Sequence, residues 1–75
     1  MNYLYTKYES YTVYGVYVIS NDKHVGNFVL DVDGYYYYEP LKTSGLYNDY
    51  TLIELGQKLK EINKPYDDFV KESLL

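Results

Sequence analysis

The sequence predicts an α+β domain in which a small antiparallel sheet precedes C-terminal helices, and two observations carry that prediction. Residues before Pro40 are mostly β-branched or aromatic, whereas Leu, Ile, Lys and Glu recur at helical spacing after Gly45. The dipeptide Asp33-Gly34 is a strong signal for a tight hairpin turn. We expect a single domain over residues 1–75, divided into a sheet (1–40), a loop (41–47) and helices (48–75).

Three segments of the N-terminal half have the composition of β-strands, namely residues 11–19, 24–32 and 35–39. Pro40 ends the third, because proline cannot donate to a sheet ladder. Residues 1–9 could extend the sheet as an edge strand or lie across it. The prediction is therefore three strands, possibly four.

Two dipeptides, Asn21-Asp22 and Asp33-Gly34, are read as two-residue turns, and two-residue turns fix the strand register. In that register each strand glycine lies opposite an aromatic ring, an arrangement that stabilises glycine in sheets. The predicted pairs are Gly15 with Phe28 and Tyr17 with Gly26.

Both faces of the predicted sheet are apolar, which is unusual for an antiparallel sheet. One face carries Val13, Tyr17, Ile19, Phe28, Leu30, Val32, Tyr35 and Tyr37. The other carries Tyr14, Val16, Val18, Val25, Val29, Tyr36 and Tyr38, with Asp31 opposite Tyr36. Because the helices can cover only one face, the other should remain as an exposed aromatic patch of the kind that marks interaction sites.

Two helices are predicted, one longer and one short, packed on one face of the sheet. Thr51 and Glu54 match a capping box at the start of the first, and Asn48 or Asp49 could cap a slightly longer helix. Its apolar stripe consists of Leu52, Leu55, Gly56, Leu59 and Ile62. Gly56 in this stripe suggests a close approach of helix and sheet. Pro65 should interrupt the helix and open the second one.

The composition excludes several kinds of function. The chain has no cysteine, one histidine and no arginine, with a formal net charge of −4 at pH 7. We therefore expect no disulfide, no metal and no cofactor, and a reducing, cytoplasmic setting. The acidic charge argues against direct nucleic-acid binding. No segment is long and apolar enough for a membrane span.

A short acidic motif deserves comparison with an enzyme family. Residues 28–34 end in Asp31-Val-Asp33-Gly34 and resemble the first motif of the haloacid-dehalogenase phosphatases. In that family the first Asp is the nucleophile and the second an acid/base. The family also needs a parallel sheet, a longer chain and further motifs. The simpler interpretation makes Asp33 a turn residue, and we expect no catalytic residues and no enzymatic activity.

A second resemblance concerns source rather than chemistry. Residues 28–40, Phe-Val-Leu-Asp-Val-Asp-Gly-Tyr-Tyr-Tyr-Tyr-Glu-Pro, and residues 61–67, Glu-Ile-Asn-Lys-Pro-Tyr-Asp, resemble segments of small, mostly uncharacterised bacteriophage-encoded proteins. The resemblance covers a little over half of the chain. It implies action in the cytoplasm of a bacterial host and carries no known activity.

The leading functional hypothesis is a non-enzymatic binding protein, a phage-type inhibitor of a bacterial host or immune-defence protein. Its predicted partner-binding residues are Tyr14, Tyr36, Tyr38, Asp31 and Glu39. Tyrosine suits such a surface because its ring is apolar and its tip polar. Two alternatives remain open. One is a small-ligand protein that sequesters a nucleotide signal, with phosphates held by Lys23, Lys42 or a helix N-terminus. The other is a purely structural homo-oligomer, and a homodimer is possible under each hypothesis.

Overall fold

The computed structural model describes residues 2–41 and 47–74, which form a four-stranded antiparallel sheet followed by a single helix. The strands lie side by side in chain order. The elements are β1 (Leu4–Ser10), β2 (Val13–Val18), β3 (His24–Leu30), β4 (Tyr36–Pro40) and α1 (Asp49–Ser73). The α+β prediction is confirmed, and the segment that the sequence left ambiguous contains the edge strand β1.

The predicted strand register is wrong, because neither turn is a two-residue loop. It is shifted by one residue between β3 and β4 and over most of β2–β3, and by two residues at Tyr17. Between β3 and β4 the amide of Asp31 donates to the carbonyl of Tyr35, which leaves a three-residue loop ending at Gly34. Gly34 has a φ of 90°, the positive φ that this type of loop needs at its last residue. The longer loop places Tyr36 opposite Leu30 rather than Asp31.

The two strand glycines do lie against tyrosine rings, but not the rings that the register predicted. A Cβ at Gly15 would lie 2.7 Å from a ring carbon of Tyr17, two residues along the same strand. A Cβ at Gly26 would lie 2.6 Å from the ring of Tyr38 in β4. The cross-strand partners are Asn27 for Gly15 and Val16 for Gly26.

The corrected register changes the predicted faces within β3, where Phe28 and Leu30 exchange sides with Val29. The predicted grouping of Tyr14, Val16, Val18, Val25, Tyr36 and Tyr38 on one face is confirmed. Phe28 pairs with Tyr14 on one side and Tyr38 on the other, and the Phe28 and Tyr38 rings are 5.9 Å apart. These residues share the face that α1 covers. An irregularity between Val16 and Tyr17 also turns Val25 towards the helix. The buried core is small: Leu4, Val16, Val25, Phe28 and Leu55.

The predicted second helix is not separate from the first: α1 is one helix of 25 residues with Pro65 in its interior. Proline removes one i to i−4 hydrogen bond from a helix interior, at a cost of about 3 kcal/mol. Side-chain contacts on both sides of Pro65 hold the helix to the sheet. Asn63 bonds the main chain of Tyr36, and Tyr66 packs edge-on against Tyr35 at 5.0 Å.

The prediction that Gly56 marks a close helix–sheet approach is also wrong. No heavy atom lies within 4 Å of a Cβ built at Gly56, and Leu52 is exposed. The residues that face the sheet are Leu55, Leu59 and Ile62. The helix crosses the sheet diagonally, from the start of β1 at Glu54 to the start of β4 at Asn63. None of the described helical residues form a segment long and apolar enough to cross a membrane.

Candidate functional site on the uncovered face

The face of the sheet opposite α1 is the candidate functional site, and we call it the open face. Strand residues alternate between faces, so the neighbours of the helix-facing residues form it. Its members are Tyr5, Lys7 and Glu9 of β1, Val13, Gly15 and Tyr17 of β2, His24, Asn27 and Val29 of β3, and Tyr37 and Glu39 of β4.

Three aromatic rings stack across three adjacent strands of the open face. The rings of Tyr5 and Tyr17 have centroids 5.3 Å apart and lie within 14° of parallel. Tyr17 in turn stacks on His24 at 4.6 Å and 17°. The His24 Nε2 lies 2.9 Å from Oδ1 of Asn27, which orients the imidazole. The three rings form one stack of nearly parallel rings with polar tips, which we call the aromatic platform.

Both tyrosine hydroxyls of this platform donate to carboxylates at its margin. The Tyr5 hydroxyl donates to Asp22 at 2.7 Å, and the Tyr17 hydroxyl donates to Glu9 at 3.2 Å. The Asp22 hydrogen bond raises the pKa of Tyr5 above its ordinary value. Burial, and then the Glu9 hydrogen bond, raise the pKa of Tyr17. Both rings are therefore neutral at physiological pH and held in place.

The half of the open face near β4 is more aliphatic. Val13 pairs with Val29, and Val29 pairs with Tyr37, which is 49% exposed. The Tyr37 hydroxyl donates to Asp33, which raises the pKa of Tyr37 and lowers that of the Asp33 carboxyl. A shallow depression of about 260 Å³ lies here, lined by Val29, Leu30, Asp31, Tyr37 and Glu39.

The five residues predicted from the sequence are divided between the two sides of the sheet. Asp31 and Glu39 are exposed and line the open-face depression. Tyr14, Tyr36 and Tyr38 are half-buried and pack on the core beneath α1. The structure therefore does not bring the five together. Their role in partner binding stays a prediction.

The three helix-side tyrosines also use their hydroxyls or rings within the fold. The Tyr38 hydroxyl donates to the Val25 carbonyl at 3.1 Å, and burial raises its pKa. The Tyr36 hydroxyl donates to the Tyr11 carbonyl at 2.6 Å, and burial raises its pKa also. Tyr14 contacts Tyr36 edge-on at 5.6 Å. These contacts favour a packing role for the three rings.

Sequence reasoning missed Tyr5 and His24 as members of the aromatic platform. Tyr5 lies in the segment whose conformation was ambiguous, and His24 was taken as an exposed edge residue. In the structure Tyr5 pairs with Tyr17 in the regular part of the β1–β2 ladder, and Tyr17 pairs with His24. The Tyr17–His24 pairing depends on the irregularity after Val16, which no composition pattern indicates.

A separate cavity of about 340 Å³ lies between the start of α1 and the end of the sheet. Its lining includes Lys23, the N-cap residue Asn48 and Thr51 in the first turn of α1. Asn48 caps the helix by accepting the Thr51 amide at 3.0 Å. Two of the phosphate-binding features predicted from the sequence, Lys23 and a helix N-terminus, thus meet at one cavity. The third, Lys42, lies outside the described residues.

Comparison of the chain with protein-family models, curated proteins and solved structures finds no match. Within residues 2–41 and 47–74, no three His, Asp or Glu side chains are grouped so that they could hold a metal ion. The chemistry of the open face therefore has to be argued from its own side chains.

Proposed function

We propose that the protein is a non-enzymatic binding protein that docks a partner protein on its open face. The observation that carries the proposal is the stack of Tyr5, Tyr17 and His24 on the face that the helix leaves uncovered. Rigid aromatic rings provide a large contact area at a low cost in side-chain entropy, which is why they dominate binding hot spots.

The arrangement of polar groups supports a protein partner. The aromatic and aliphatic centre, Tyr17, Val13 and Val29, is bordered by charged side chains of the two edge strands, Lys7 and Glu39. An apolar centre inside a polar rim is the usual organisation of protein interfaces. With a formal net charge of −4, the surface complements a basic patch on the partner.

The resemblance to bacteriophage-encoded proteins makes a bacterial host protein, such as an immune-defence protein, the proposed partner. Inhibition by a protein of this size would work by occlusion, since the small domain can cover a site on a larger one. The proposal requires no catalytic residue in the chain.

Affinity capture from bacterial lysate tests the proposal with matched variants. Tyr5→Ser with Tyr37→Ser removes two open-face rings, whereas Tyr50→Ser removes a ring that is 63% exposed on the helix. The partner should be retained by the wild type and by Tyr50→Ser, and lost by the double variant. Full retention by a folded double variant would contradict the open-face assignment.

A second candidate function is sequestration of a small anionic ligand, and one observation favours it. The cavity between α1 and the sheet is lined both by Lys23 and by the first residues of the helix, where the helix dipole is positive. Its volume, about 340 Å³, falls within the usual range of small-molecule sites. A nucleotide signal is the proposed ligand class.

Thermal-shift measurements with cyclic nucleotides and with inorganic phosphate test this candidate. Binding should raise the melting temperature of the wild type, and Lys23→Gln should abolish the rise. Lys60→Gln is a matched control, because Lys60 is an exposed helix lysine away from the cavity. No shift with any nucleotide would leave protein binding as the function.

A further inference from the structure

The two edges of the sheet differ in how they are closed. The carbonyl of Tyr35 and the amide of Leu41 bond to β3, so the alternation of an antiparallel ladder turns the main chains of Tyr36, Tyr38 and Pro40 outward. The side chain of Asn63 satisfies Tyr36, and Pro40 has no N–H to offer. The β4 edge is thus blocked at two of these three positions.

The β1 edge has a closed end and an open stretch. The Ile19 amide donates to the Tyr3 carbonyl, so the alternating ladder turns the main chains of Leu4, Thr6 and Tyr8 outward. The Leu4 amide is satisfied by a carboxylate of α1. Among the described residues, none hydrogen-bonds to the outward main chain of Thr6 or Tyr8. This stretch can pair with another strand.

The charges on β1 specify which strand fits. Lys7 and Glu9, the neighbours of Tyr8 in the chain, are both exposed on the open face. The β1–β2 pairing is irregular between Tyr8 and Ser10, so Glu9 has no partner residue in β2. Within the described chain neither belongs to an ion pair. A second copy of β1, paired antiparallel about a two-fold axis at Tyr8, places each Lys7 opposite Glu9 of the other copy. A shift of two residues would place the two Lys7 side chains opposite one another in one direction, or the two Glu9 side chains in the other. Like-charge repulsion disfavours both.

A row of tyrosines on the helix-facing side ends at the same point. Tyr36 contacts Tyr14 edge-on at 5.6 Å, and Tyr14 contacts Tyr8 at 5.5 Å. Tyr8, the last in the row, is 62% exposed. The two-fold axis at Tyr8 would bring its ring against that of the second copy. Aromatic cross-strand pairs are among the favourable contacts of antiparallel sheets.

We propose that two copies of the chain associate through β1, antiparallel and with Tyr8 at the two-fold axis, to form one continuous eight-stranded sheet. The axis stands perpendicular to the sheet, so the two open faces lie on the same side and form one doubled surface. The interface is small, since it uses part of one strand from each copy, and we expect a weak, concentration-dependent dimer.

Charge reversal at the two flanking residues tests the dimer and its register. Lys7→Glu alone places two glutamates opposite one another, and Glu9→Lys alone places two lysines opposite one another. Each should weaken dimerisation about tenfold in sedimentation equilibrium, since both cross-strand pairs become repulsive. Lys23→Glu carries the same charge change in the β2–β3 loop and should leave the dimer unchanged.

An equimolar mixture of the two single variants gives the sharpest outcome. In a mixed dimer the two glutamates of one copy lie opposite the two lysines of the other. Native mass spectrometry should therefore show the heterodimer in excess over either homodimer. A misfolded variant could not give this result. A wild type that stays monomeric up to about 1 mM overturns the proposal and leaves the edge to a strand of another protein. A dimer insensitive to Lys7→Glu, or a mixture with no excess of heterodimer, overturns it as well.

Discussion

The side-chain amide of Asn63 pairs with the main chain of Tyr36 as a neighbouring strand would. Its Oδ1 accepts the Tyr36 amide at 2.7 Å, and its Nδ2 donates to the Tyr36 carbonyl at 3.1 Å. One helix residue therefore satisfies the outward amide and carbonyl of one edge-strand residue. Glu54 instead accepts two amides at the start of β1, those of Tyr3 and Leu4. It lies about two and a half turns before Asn63 in α1, on the opposite side of the helix.

Replacement of Asn63 should destabilise the fold through the main chain of β4. Asn63→Ala removes both hydrogen bonds and leaves the Tyr36 amide and carbonyl without partners, at a cost of about 1–3 kcal/mol. Asn63→Asp keeps the acceptor and removes the donor, so its free energy of unfolding should fall by less than that of Asn63→Ala. Urea unfolding measures both. Equal stability of Asn63→Ala and wild type would show that the pairing contributes nothing.

Replacement of Glu54 should lower the free energy of unfolding more than replacement of an exposed glutamate. Glu54 is only 5% exposed and accepts the amides of Tyr3 and Leu4 at 2.6 and 2.9 Å. Glutamine offers one acceptor oxygen, so Glu54→Gln leaves one of the two amides facing an NH₂ group. We expect a loss of about 1.5–3 kcal/mol in the free energy of unfolding. Glu61→Gln, on the exposed side of α1, is the matched control and should change stability little.

Two glycines should respond to alanine in opposite directions. A methyl group at Gly56 meets nothing within 4 Å, so Gly56→Ala should stabilise the helix by about 1 kcal/mol. A methyl group at Gly26 would lie 2.6 Å from the Tyr38 ring, so Gly26→Ala should destabilise the protein. Thermal unfolding of the two variants, measured side by side, gives the sign of each change. A loss of stability in Gly56→Ala would imply that this part of the helix has a contact partner.

Stability should fall at alkaline pH because six tyrosines have raised pKa values: Tyr5, Tyr17, Tyr35, Tyr36, Tyr37 and Tyr38. A pKa raised in the folded state means that folding favours the neutral hydroxyl. The stabilisation is complete below the ordinary value of 10.0 and is lost as the pH rises through the folded-state values. Tyrosinate absorbance should therefore develop at higher pH in the native protein than in urea. Coincident titration curves would contradict the hydroxyl contacts described above.

The class of fold could be predicted because it depends on long composition patterns, whereas the register depends on one residue in a loop. Asp33-Gly34 fits a two-residue loop and a three-residue loop equally well, since both need glycine at positive φ. A shift of one residue moves every side chain of a strand to the other face. The errors at the two turns placed Phe28 and Leu30 on the wrong face. In the structure they share the face of Tyr14, Tyr36 and Tyr38, and α1 covers that face.

The existence of an uncovered aromatic patch could also be predicted, because one layer of helix covers only one face of a sheet. The residues that form this patch could not be predicted. Tyr17 and His24 meet through the irregularity in β2–β3 pairing, and Tyr5 joins them only once β1 is known to be a strand. The continuity of α1 through Pro65 could not be predicted for a related reason. Local preference ends a helix at proline, while the tertiary contacts of Asn63 and Tyr66 hold it in place.

The hydrogen bonds from Tyr3 and Leu4 to Glu54 join two parts of the chain that are made at different times during synthesis. When all four strands have emerged from the ribosome, the Glu54 carboxylate that accepts the amides at the start of β1 has not yet emerged. Local hairpins can form as they emerge, yet the sheet lacks its hydrogen bonds and packing contacts with α1 until the helix has emerged too. We therefore expect folding to be completed only once α1 has emerged, and a chain stalled before Glu54 to be a ready substrate for chaperones and proteases.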